Sequence, residues 1–235
     1  MHQLPLAIRL RDASVFASFS GGRNQAAVDA LLALPPARAP TCVCLHGPAG
    51  SGKTHLLQAL CARAYSGGAI AAYLPLGELG HVDPGLLSGY GEFELVCVDD
   101  VHAVPGLGEW ERALFRLHQE LEERGGRLVV GSALPPAALA FHLRDLGSRL
   151  NGGLVLTLQL LDEHERIAAL RLRADQRGVE LPEEVAQFLS RRLPRDMASL
   201  CAFLDELDDA SLSAQRRLTI PFVREVLERR DAGDG

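Results

Sequence analysis

The sequence predicts an α/β fold, a five-stranded parallel sheet covered by helices, with a small all-helical unit behind it. Three observations lead there. Five short apolar, β-rich runs alternate with amphipathic stretches between residues 41 and 159, the pattern of a parallel sheet buried on both faces. A glycine-rich loop of fixed spacing follows the first run at once, where a strand should turn into a helix. Beyond residue 160 no strand signal remains, and only segments with helical spacing follow.

The strands are TCVCLH (41–46), AIAAYLP (69–75), FELVCVDD (93–100), RLVVGS (127–132) and GLVLTLQ (153–159). A helix over about 24–34 precedes them, and PPARAP (35–40) is the loop between. In WERALFRLHQELEERGG (110–126) Leu114, Leu117 and Leu121 share one helical face, and Gly125–Gly126 end it. The next helix opens on Asp162 with Glu165 three residues on, the spacing of a capping box. PEEVAQFLSRRL places Pro182 in a first turn and Val185, Phe188 and Leu189 on one face. RDMASLCAFLDELDDAS carries a stripe of Met197, Leu200, Cys201, Leu204 and Leu207, and TIPFVREVLERR gives a last short helix before a frayed RDAGDG. The boundaries expected are an extended tail over 1–12, an α/β domain over 13–160 and a helical domain over 161–230.

Composition narrows the class. Of 235 residues, 47% are hydrophobic and 23% charged, enough to fill a core without disulfide staples. Cys42, Cys44, Cys61, Cys97 and Cys201 make an odd set with no CxxC pair, which reads as reduced thiols in a cytosolic core. A net charge of −6 argues against a surface built to coat DNA phosphates. No run approaches the roughly 18–20 apolar residues of a membrane span, and no basic segment precedes an apolar one at the N-terminus. A cytoplasmic location without membrane contact is expected.

GPAGSGKT (47–54) fits G-x-x-x-x-G-K-[ST] in full. Gly47, Gly50 and Gly52 let backbone N–H groups turn inward around phosphate oxygens, where a Cβ would clash. The helix that begins near Lys53 adds its positive end to the same site. Lys53 is expected to reach the β- and γ-phosphates and the Thr54 hydroxyl to ligate Mg²⁺. Pro48, Ala49, Ser51 and His55 complete the expected nucleotide-binding run. LVCVDD ends the third strand on two carboxylates, where ligands of open α/β sheets sit. Asp99 is placed to hold Mg²⁺ through its water and Asp100 to polarise an attacking water.

A P-loop α/β domain followed by a small helical lid resembles the AAA+ ATPases. More narrowly, the chain resembles the DnaA-related AAA+ family and, over its full length, that family's short regulatory inactivators of the Hda type. ASVFASFSGGRNQAAVDAL (13–31) is similar to the family's adenine-wrapping F-x-x-F-x-x-G-x-x-N segment, which implies nucleotide contacts from Phe16, Phe19 and Asn24. VDDVHAVPG (98–106) resembles its Walker B segment, with the second Asp where most AAA+ proteins have Glu. DLGSRLNGG (145–153) resembles box VII, which puts Arg149 in the arginine-finger position. LPRDMASL (193–200) resembles the sensor 2 segment, which turns Arg195 toward the nucleotide. LTIPFVREVL (218–227) resembles the end of the inactivator lid. The family's sensor 1 Asp is absent: SALPP (132–136) has Ala133 there, beside Ser132.

Gln3-Leu4-Pro5-Leu6-Ala7 resembles the Q-L-x-L-F motif by which bacterial proteins dock on the replicative sliding clamp, without its final aromatic. Pro5 lowers the entropy cost of binding an extended peptide, with Leu4 and Leu6 as apolar anchors and Gln3 as a polar one. Little of the sequence follows the last helical segment, so no helix-turn-helix reader and no sequence-specific DNA binding are expected. The resemblance implies a negative regulator of chromosomal replication. With ADP or ATP bound and docked on the DNA-loaded clamp, it would stimulate ATP hydrolysis by the initiator DnaA, its own hydrolysis being weak. The competing class is a free-standing ATPase of the helicase-loader type, which would bind single-stranded DNA and a helicase. The sequence leaves the oligomeric state open, including whether the protein forms a homodimer or higher homo-oligomer at all.

Overall fold

A computed structural model of the chain describes residues 15–34, 41–78, 82–194 and 196–233, with side chains through residue 230. The chain divides after Leu160 into two compact units.

In the first unit, β1 (Cys42–His46), β2 (Ala71–Pro75), β3 (Leu95–Asp99), β4 (Arg127–Ser132) and β5 (Leu154–Thr157) form one sheet in the order β2-β3-β4-β1-β5. Every pairing is parallel, with Val43 opposite both Val129 and Leu154, and Val98 opposite Val130. The apolar runs make both faces of this sheet, because successive side chains alternate. Cys42, Cys44, Val96, Val98, Leu128 and Val130 point to one face. There α3 (Gly108–Arg124) and α4 (Arg144–Gly152) cover them with Leu114, Leu117, Leu121, Leu146 and Leu150. Val43, Leu45, Cys97 and Val129 point to the other face, under α1 (Gln25–Leu32) and α2 (Lys53–Ser66) with Leu31, Leu56 and Leu57. Each leucine so buried contributes about 1.5–3 kcal/mol of transfer free energy.

Two sequence expectations need adjusting here. The fifth run reads as a buried strand, yet β5 is an edge: its residues alternate between half-buried and exposed, and Val155 is 37% exposed. Among the described residues it pairs with β1 on one side only, which leaves its outer edge unpaired. The thiols match expectation: Cys42, Cys44, Cys61 and Cys97 are free and buried, and Cys201 is half-buried. Burial pushes Cys42 and Cys44 up to about 12.

The second unit consists of α5 (Glu163–Gln176), α6 (Glu183–Arg192), α7 (Met197–Ala214) and α8 (Ile220–Gly233). Leu170, Val185, Leu189, Leu200, Phe203, Leu204, Leu207, Phe222 and Val223 make its core, with Met197 and Phe188 packed at the margin. The capping box forms as spaced: Asp162 Oδ1 accepts from Glu165 N at 2.9 Å, and Glu165 Oε2 accepts from Asp162 N at 2.8 Å. Pro182 stands one residue earlier than expected, as the N-cap of α6 rather than inside its first turn. Its fixed φ suits either position. No helix among the described residues is long and apolar enough to cross a membrane.

Candidate nucleotide-binding site

The loop between β1 and α2 leaves the carboxyl edge of the sheet, where Gly47 N donates to Ser132 O of β4 at 3.1 Å. A Cβ at Gly47 would meet Leu158 O at 2.3 Å, so this first glycine is needed for close backbone approach. Gly50 (φ 80°) and Gly52 (φ 95°) lie in the left-handed region that turns the intervening N–H groups inward. Pro48 accepts from Ser51 N at 3.2 Å, with Ala49 inside that turn. Lys53 is buried, and its ammonium donates to Gly47 O (2.7 Å) and Pro48 O (3.0 Å), closing the loop around itself. Burial draws its pKa down, against the opposing pull of Asp99 and Asp100. Ser51 is 4% exposed and its Oγ has no hydrogen-bond partner among the described residues. A concave loop with an orphaned hydroxyl, open-turned amides and a buried cation fits a polyphosphate.

Below the loop stands Asp99, 1% exposed at the end of β3. Its Oδ2 accepts from Thr54 Oγ1 (2.5 Å) and from the Tyr73 hydroxyl (3.1 Å), and its Oδ1 from Asp100 N (3.0 Å). A hydroxyl and a carboxylate side by side are the hard oxygen donors that suit Mg²⁺. Sequence reasoning missed Tyr73 and Gly131. Tyr73 reaches Asp99 because β2 pairs with β3, Tyr73 opposite Cys97. Gly131 of β4 leaves the space that the carboxylate fills: a Cβ there would lie 2.3 Å from Asp99 Oδ1. Asp100 follows in a left-handed conformation (φ 57°), with its side chain 43% exposed. Burial, and then Asp99, push its pKa up, against His102 and Lys53. Ser132 is fully buried and its Oγ accepts from Leu134 N, while Ala133 N donates to His102 Nδ1 at 3.2 Å.

The segment ahead of α1 folds onto the loop. Phe19 lies against Gly52, whose added Cβ would meet its ring at 2.5 Å, and its centroid is 5.4 Å from the His55 ring. His55 Nε2 lies 3.0 Å from Val15 O and 3.3 Å from Ser18 Oγ. Phe16 is half-buried in the core beneath α1 and α2. Asn24 is 2% exposed, and its carboxamide bonds in both directions to the backbone of Gln159, at 2.8 and 2.9 Å. The structure therefore shows Asn24 as a tie between this segment and the chain leaving β5. It brings Phe19 and His55 to the phosphate loop.

Arg149 stands on the outer side of α4, 47% exposed, with Nη1 bonded to Glu122 of α3 at 3.1 Å. A buried carboxylate sets the start of α4: Glu111 of α3 accepts from Leu143 N (2.7 Å), His142 N (3.2 Å) and Gly106 N (2.8 Å). Gln3, Leu4, Leu6 and Arg195 lie outside the described residues.

This sheet order, phosphate loop and pair of strand-end aspartates, with a helical unit following in sequence, define a P-loop protein of the AAA+ fold. Comparison with known proteins agrees. The chain is similar to domain III of the replication initiation protein DnaA from Thermotoga maritima, at 22% identity over 93% of this chain and 97% of that one, with a TM-score of 0.74. AMPPCP-bound DnaA from Aquifex aeolicus matches at 22% identity over 96% and 71%, with a TM-score of 0.70. The Thermotoga maritima RuvB Holliday junction branch migration motor matches at 18% identity over 80% and 61%, with a TM-score of 0.59. Residues 162–227 match the family described as Hda, lid domain. These likenesses show the AAA+ fold, and the match to the Hda lid family covers the helical unit.

Proposed function

We propose that this protein is a nucleotide-bound regulator that makes a DnaA-type initiator hydrolyse its ATP and so restrains chromosomal replication. ADP or ATP occupies the loop at Gly47, Pro48, Ala49, Gly50, Ser51 and Gly52, with Lys53 on the phosphates. Phe16, Phe19 and His55 flank the nucleoside side, and Arg195 of the lid completes the set. Thr54 and Asp99 hold Mg²⁺, which when bound neutralises charge on the phosphate oxygens. Asp100 orients water for a weak intrinsic hydrolysis; its carboxylate is one methylene shorter than the Glu common at that place. Gln3, Leu4 and Leu6 dock the protein on the DNA-loaded sliding clamp, and Arg149 enters the initiator's active site.

The observation that carries this reading is the half-exposed guanidinium on α4, combined with a lid of the Hda family. A finger supplied in trans accelerates phosphoryl transfer by about 10³–10⁵ in GTPases, by meeting charge that develops in the transition state. The test is an initiator ATPase assay with clamp, DNA and this protein. Stimulation is expected to vanish in Arg149→Ala and to fall when Gln3 and Leu4 are replaced. Stimulation that survives Arg149→Ala overturns the finger assignment, and helicase-dependent turnover by the protein alone would favour a loader.

A further inference from the structure

We infer that Glu122 is a positioning residue for Arg149, a tether that aims the guanidinium outward with its bidentate edge open. The inference rests on the regulatory reading above, in which Arg149 serves another protein's nucleotide.

The two residues meet because their neighbours are buried together. Leu121 of α3 and Leu150 of α4 are each 1% exposed in the same core. Glu122 and Arg149, one position away in each helix, emerge side by side at its margin, 39% and 47% exposed. Nη1 alone makes the contact, at 3.3 Å to Oε1 and 3.1 Å to Oε2. Nε and Nη2 have no hydrogen-bond partner among the described residues. Those two nitrogens present parallel N–H groups, the edge that grips a phosphate or carboxylate bidentately. A carboxylate that merely neutralised the arginine would take that edge. Glu122 takes a corner and leaves it.

The helices make the arrangement directional. Glu122 lies in the last turn of α3, where the helix dipole disfavours an anion, and Arg149 in the last turn of α4, where it favours a cation. The helix end that disfavours Glu122 is thus offset by the cation beside it. His118 Nδ1, buried and without a hydrogen-bond partner among the described residues, lies 4.0 Å from Glu122 Oε2 on the inner side, so Arg149 Nη1 is the donor that holds the carboxylate. A guanidinium held in one rotamer enters a foreign site with less to lose on ordering.

Glu122→Ala and Glu122→Gln decide the matter in two measurements. In the initiator ATPase assay with clamp and DNA, Glu122→Ala is expected to lower maximal stimulation about two- to fivefold, as a half-exposed pair allows. The concentration giving half-maximal effect stays where it was. Glu122→Gln retains most of the stimulation, because its amide oxygen still accepts from Nη1. By NMR relaxation, the order parameter of the Arg149 Nε–H falls in Glu122→Ala and holds in Glu122→Gln. Unchanged or increased stimulation in Glu122→Ala overturns the inference, and so does an unchanged order parameter or a shift confined to the half-maximal concentration. If the unaltered protein stimulates nothing, the regulatory reading fails, and the order parameter alone judges the tether.

Discussion

Replacing Gly131 with alanine is expected to disturb the proposed Mg²⁺ side of the site from within the sheet. Gly131 sits in β4 with ordinary strand backbone, so no left-handed conformation forbids a side chain there. Taken alone, the change would stabilise by about 0.4–1 kcal/mol, because alanine loses less chain entropy on folding. The space decides otherwise. The new Cβ would lie 2.3 Å from Asp99 Oδ1 and 2.9 Å from Leu57 Cδ1. Leu57 is fully buried, and Asp99 is pinned by Thr54, Tyr73 and the Asp100 amide. Overpacking of this kind costs about 1–3 kcal/mol, so subtracting the entropic gain leaves a net loss of about 1.3 kcal/mol at mid-range, within bounds of about 0–2.6 kcal/mol. The melting temperature should fall by about 2–8 °C for a chain of this length. Circular dichroism melts measure that, and a magnesium titration of fluorescent-nucleotide binding should show a higher half-saturating Mg²⁺ concentration. A melting temperature that rises or holds, together with unchanged magnesium dependence, would refute the claim that Asp99 has nowhere to go.

Tyr73→Phe removes one donor to a buried carboxylate and should cost about 1.5–3 kcal/mol in urea unfolding, with the slope unchanged. Burial pushes the Glu111 carboxyl up, but the amides of Leu143, Gly106 and His142 outweigh it and hold the group below its ordinary 4.5. Its contribution is therefore complete above that value and lost as pH falls through the lower folded one. Glu111→Gln should flatten that acid limb in a stability-against-pH series. Asp196 caps α7 through Ser199 N at 2.7 Å, and Asp196→Ala should cost about 1 kcal/mol by thermal melting.

The phosphate loop was legible because its chemistry is local: eight consecutive residues carry the turn, the cation and the hydroxyl. The strands were legible because burial on both faces writes continuous apolar runs, and the lid because its stripes repeat at helical spacing. What failed to show depends on which strands become neighbours. Tyr73 and Gly131 converge on Asp99 only because β2 and β4 flank β3, and nothing within either run announces that. The half-exposure of β5 likewise follows from its place at the end of the sheet order. Asn24 was read through a motif spacing, whereas its burial matches a reciprocal amide bond to a residue far along the chain. Glu122 belongs to no motif in the sequence; its distinction comes from the helix packed beside it.

The distribution of sulfur has a practical consequence. Four thiols are locked inside the α/β unit, and burial pushes the ionisation of three of them, Cys42, Cys44 and Cys97, upward. The fifth, Cys201, belongs to α7 of the lid and is partly open to solvent. A maleimide or Ellman reagent applied to the native protein should therefore label one sulfur quickly, and the others only after denaturation. The wild-type chain thus carries a natural attachment point for a fluorophore on its lid, suited to following that unit as nucleotide is added.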